Sequence, residues 1–79
     1  MGTMTRSEHL QYCKDRALDV LEWSGRVQWA VVDMLTYIEK WDGGEMYTPE
    51  EAGLLHRRGF LEHVYGTNES CKNWINSFY

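Results

Sequence analysis

The stretch Thr67-Asn68-Glu69-Ser70-Cys71-Lys72-Asn73-Trp74-Ile75-Asn76-Ser77-Phe78-Tyr79 decides the fold. Cys71, Trp74, Ile75 and Phe78 recur at i, i+3, i+4 and i+7, which is one face of a helix. A final helix with four apolar anchors has to dock them, because chain ends otherwise fray, so the domain is closed by its own tail. Thr67 or Asn68 caps this helix, and Gly66 ends the one before it as a C′ residue.

Working backwards, Thr48-Pro49-Glu50-Glu51 is a helix start that meets three demands at once. It offers a side-chain oxygen to free N–H groups, a pre-set φ, and negative charge at the positive end of the helix dipole. The third helix should carry Ala52, Leu55, Leu61, Val64 and Tyr65 inward. Gly53 and Gly59 each weaken it by about 1 kcal/mol against Ala, and Gly59 marks close packing or a kink. Asp42-Gly43-Gly44 separates it from a second helix, on which Val27, Ala30, Val31, Met34, Leu35 and Ile38 form one wide face with Asp33 at its flank. Ser24-Gly25 breaks the chain so tightly that the first two helices pack antiparallel. The first helix is capped by Thr5 or Ser7, has Glu8 in its first turn, and turns Leu10, Cys13, Ala17, Val20 and Leu21 inward. The expectation is an all-α, compact bundle of about four helices, roughly 6–23, 26–41, 49–65 and 68–78. Residues 1–3, ahead of the second methionine Met4, read as a vector remnant, which leaves 4–79 as a single helical domain.

Seventy-nine residues allow only a small core, and an aromatic share of 14% supplies much of its apolar area. A net charge of −4 argues against a broad phosphate-binding surface. No apolar run is long enough to cross a bilayer and no basic-then-apolar leader opens the chain, so no membrane partner is expected and the protein is placed in a cytoplasm. In that compartment Cys13 and Cys71 read as reduced, buried thiols rather than as a staple between the first helix and the last.

His9 and Cys13 stand four residues apart, a spacing at which two side chains can share a metal, with Cys71, His56 and His63 as further ligands. No Cys-x-x-Cys or His-Glu-x-x-His element accompanies them. The preferred reading is a core thiol beside a surface imidazole, with no metal and no cofactor. A nucleophilic Cys–His pair lacks an orienting third group, and no phosphate loop or nucleophile elbow is present, so no enzyme is expected. His56, Arg57 and Arg58, with Lys14 and Arg16, form two small basic groups. These read first as solvated helix faces and alternatively as nucleic-acid contacts. Trp23, Trp29, Tyr37 and Trp41 lie near helix ends or off the apolar stripes, and are the candidate anchors for a protein partner.

Glu8-His9-Leu10, Cys13-Lys14 and Arg16-Ala17-Leu18 resemble the opening of small uncharacterised proteins encoded by bacteriophages of actinobacteria. Gly59-Phe60-Leu61 through Thr67 to Trp74-Ile75 and Phe78 resembles their tail, a Gly-centred third helix followed by a short capped one. The chain departs from them where Arg26 follows Gly25 and where 40–46 lacks a His-Pro-Glu run. The resemblance implies a viral origin, expression in a bacterial cytoplasm, and action by binding host machinery; it brings no catalytic residues. The functional expectation is therefore a small non-enzymatic protein that binds a host or phage protein. The alternatives are a nucleic-acid-associated regulator and a self-assembling helical dimer.

Overall fold

Three helices begin on the same local device. In the computed structural model, which describes residues 4–79, Thr5 with Glu8, Thr48 with Glu51 and Thr67 with Ser70 each form a reciprocal capping box. The Thr side chain accepts from the N3 amide while the N3 side chain reaches back to the cap amide, so two otherwise unpaired donors are satisfied per helix. The expected remnant at 1–3 lies outside the described residues.

These caps open α1 (Arg6–Ser24), α3 (Pro49–Tyr65) and α4 (Asn68–Asn76). The second helix, α2 (Val27–Ile38), starts from Arg26 without a side-chain cap. It relies instead on the preceding turn, where Gly25 takes φ 66° and its amide bonds to the Leu21 carbonyl. The described residues thus form a small all-α bundle. α1 and α2 form an antiparallel hairpin; α2 and α4 each touch all the other helices, while α1 and α3 do not meet. The Cα envelope measures 37 × 28 × 16 Å. Its thinnest dimension holds only two layers of helix at ordinary axial separations of about 8–10 Å.

One core joins all four helices. Cys13, Ala17 and Leu21 of α1 meet Ala30, Val31, Met34 and Ile38 of α2, and Cys71, Trp74 and Ile75 of α4 close over them. Phe78 is also buried, but it lies beyond the end of α4, so the tail delivers its last anchor from a turn. Ring edges of Trp74 and Phe78 meet at 5.0 Å and 79°, a favourable edge-to-face contact.

Three expectations need correction. α2 ends at Ile38 rather than at 40 or 41 because the Tyr37 carbonyl is bonded elsewhere. It accepts from the His9 ring at 3.0 Å and from the Lys40 amide at 3.1 Å, so the next helical bond is not made. His9 is buried rather than at the surface, for the same reason. The third correction concerns α3. Leu61, Val64 and Tyr65 point outward, and the inner face is Ala52, Leu55 and Gly59, with Glu62 and His63 half-buried. Gly59 sets this rotation: a Cβ there would lie 2.9 Å from Trp74 and 3.0 Å from Leu35, so only glycine lets α3 approach α2 and α4 this closely. It marks close packing.

Candidate functional site

The rotation of α3 leaves an apolar face in solvent. Leu54 is 62% exposed, Phe60 65% and Tyr65 80%, with Leu61 and Val64 about half exposed beside them. Glu50, Leu54, Arg57, Leu61 and Val64 are spaced 4-3-4-3, the heptad spacing of a seam between packed helices. Gly53, Arg58, Phe60 and Tyr65 flank that seam. Arg57 and Arg58 make no ion pair with any described residue, in contrast to Arg16 and His56. This face escaped sequence reading because Leu61, Val64 and Tyr65 were assigned inward. The signal that identifies it is the heptad spacing, read together with the need to keep Gly59 on the opposite side.

The anticipated aromatic anchors divide into two pairs. Trp23 is 76% exposed and Trp29 is half exposed, and their rings lie 5.8 Å apart at the α1–α2 turn with the Arg26 guanidinium over Trp29. Tyr37 and Trp41 are used internally. Tyr37 carries the Arg16 guanidinium at 4.1 Å and the Lys40 ammonium at 4.9 Å on its ring, and its hydroxyl accepts from Arg16. Trp41 is half-buried against Gly43 and donates from Nε1 to the Met4 carbonyl at 2.8 Å. The structure therefore brings Trp23 and Trp29 together, and commits Tyr37 and Trp41 to intramolecular contacts.

The basic residues are likewise spread. Arg16 is paired with Asp33 at 3.0 Å, Lys14 donates to the Asn76 carbonyl, and His56 is paired with Glu39 at 2.8 Å on the α2 side of α3. Of the five basic candidates, Arg57 and Arg58 remain without an ion-pair partner among the described residues, and they sit on or beside the α3 seam.

The His9–Cys13 pair is a core feature. The His9 Nε2–H must donate, since its partner at 3.0 Å is the Tyr37 carbonyl, and this fixes the tautomer and places Cys13 Sγ 3.4 Å away as a weak acceptor. Burial, and next the Asp33 carboxylate, push the Cys13 thiol up to about 11; burial and Glu62 do the same to Cys71. Both are unpaired, buried thiols, a state opposite to that of an activated nucleophile. Among the described residues no three of His, Cys, Asp and Glu converge as a metal site would need.

A cleft of about 250 Å³ opens where the chain between α2 and α3 crosses the bundle. Leu35, Ile38, Met46, Leu55 and Phe78 line it, with the exposed Glu39–His56 pair at one side. The Arg6 side chain fastens the same crossing from the opposite end of the chain. It donates to the Met46 carbonyl at 3.0 and 3.1 Å and to the Tyr79 main-chain oxygen at 2.6 Å, and lies 4.9 Å over the Tyr47 ring. No helix among the described residues is long and apolar enough to cross a membrane. Comparison of the chain with protein-family models, with curated proteins and with solved structures finds no match in any of the three.

Proposed function

We propose that this chain is a small, non-enzymatic, phage-type protein that acts by protein–protein interaction, and that the outer face of α3 is its contact surface. One observation carries this reading: five large apolar residues stand exposed on a helix whose inner face is built around a glycine. A single exposed leucine needs no explanation, but five apolar side chains gathered on one side of a helix form a patch of the kind partners cover. The unpaired Arg57 and Arg58 add orientation, since arginine and tyrosine are enriched where protein partners meet. The resemblance to actinobacterial phage proteins supplies the setting, a bacterial host in whose cytoplasm the contact is made.

The test compares the tagged chain with its Leu61→Asp variant in nuclease-treated actinobacterial lysate. The wild-type chain is expected to retain a stoichiometric protein, whether from the lysate or as added untagged chain, that the variant loses, while the two have the same helical circular dichroism. Equal retention by both would remove α3 as the contact surface.

A further inference from the structure

We infer that the partner taken by the α3 face is a second copy of this chain, paired antiparallel through α3. This rests on the reading of that face as a docking surface and names its occupant. Three observations favour a copy over an unrelated protein.

The first is charge. The seam is acidic at its start, at Glu50, and basic two turns later, at Arg57 with Arg58 beside it, while Glu51 is committed to the Thr48 cap. An antiparallel two-fold placed at Leu54 sets Glu50 level with the other copy's Arg57 and Arg58, and does so twice by symmetry. Glu50, Arg57 and Arg58 have no ion-pair partner among the described residues of one chain, so the pairing breaks nothing already made.

The second is shape. Gly53 is an exposed glycine inside a helix, and a Cβ there would meet nothing within 4 Å. Nothing within the chain requires it, unlike Gly59. In the antiparallel register that aligns the charges, Leu54 of one copy meets Leu54 of the other, and the bare backbone of Gly53 beside that pair lets the two helices approach. The Arg57 stem of each copy lies along that contact.

The third is size. The five exposed apolar side chains and the two arginine stems offer an area on the order of 600 Å² per chain, near the ~800 Å² each partner contributes to an ordinary specific interface. The bundle is two helix layers thick. A second copy would cover the open side of α3 and give that helix a packed neighbour on both faces.

The experiment is sedimentation equilibrium of the whole chain up to about 1 mM, a range in which even weak self-association is visible. The mass is expected to rise with concentration from 9.4 kDa towards twice that value. Leu54→Asp should hold it at one chain with circular dichroism unaltered. Glu50→Arg and Arg57→Glu should each weaken association by about tenfold, and the double variant should regain most of the loss, because it exchanges the two signs. A mass fixed at one chain overturns the inference, as does a dimer that persists in Leu54→Asp or a charge swap that fails to restore it. Cosedimentation of a monomeric chain with anionic lipid vesicles would also overturn it, in favour of a lipid surface. If the chain is monomeric and Leu61→Asp still abolishes capture from lysate, the protein-binding reading survives without the copy; if both assays are blank, both fall.

Discussion

Two glycines on α3 separate the demands of packing from those of helix propensity. Gly59→Ala gains about 1 kcal/mol of propensity but forces a methyl to 2.9 Å from Trp74, and overpacking of that kind costs about 1–3 kcal/mol, so a net loss of stability is expected in chemical denaturation. Gly53→Ala meets open space and should stabilise the single chain by about 0.5–1 kcal/mol, while weakening self-association because the methyl stands between the two paired helices. The cysteines give a pH dependence whose sign follows from burial. Their ordinary value is 9.0 and the folded value about 11, so the unfolded chain loses these protons first as pH rises. The contribution of the buried thiols is complete below pH 9 and is lost progressively between 9 and 11. Thermal melts should fall across that window, and less steeply in Cys71→Ala after allowance for its lower starting point.

At the scale of elements, the capping boxes and the α3 faces have separable effects. Thr48→Ala removes one half of a reciprocal cap and should cost about 1 kcal/mol, read as a lower denaturation midpoint with unchanged slope. Leu61→Asp lies on the outer face but replaces a leucine only half exposed, so it should cost about 1–2 kcal/mol measured as a dilute single chain and leave the fold intact, although binding is lost. A large loss of stability in that variant would mean that Leu61 packs within its own chain. The ends of α2 show how a tertiary bond overrides a local pattern. The His9 ring takes the Tyr37 carbonyl, and Lys40 lies back over the Tyr37 ring, although the sequence reads as helix for two or three residues more.

For the molecule as a whole, a core this small concentrates its stability in a few side chains. Trp74 touches the notch at Gly59 and the ring of Phe78, so Trp74→Ala should cost about 3–5 kcal/mol, enough to unfold much of a domain with ordinary stability of about 5–15 kcal/mol. Arg6 shows that ends distant in sequence are fastened by one side chain bonding the chain between α2 and α3 and the tail together, a contact no local spacing announces. Sequence alone determined the number of helices, the start of α3 and the α1–α2 turn, and it narrowed the caps of α1 and α4 to two residues each. Those depend on interactions within four residues: Thr5, Thr48 and Thr67 on their own N3 partners, and Gly25 on its own φ. It also placed the inward anchors of α2 and the tail, where the apolar stripe is unambiguous. Only the tertiary structure decided where α2 stops, that His9 is buried, that Tyr37 and Trp41 serve the chain itself, and which side of α3 faces the core. The apolar residues of α3 occupy more than one face, so periodicity cannot select between them; the choice belongs to Trp74 and Leu35, which fit against α3 only where Gly59 leaves them room.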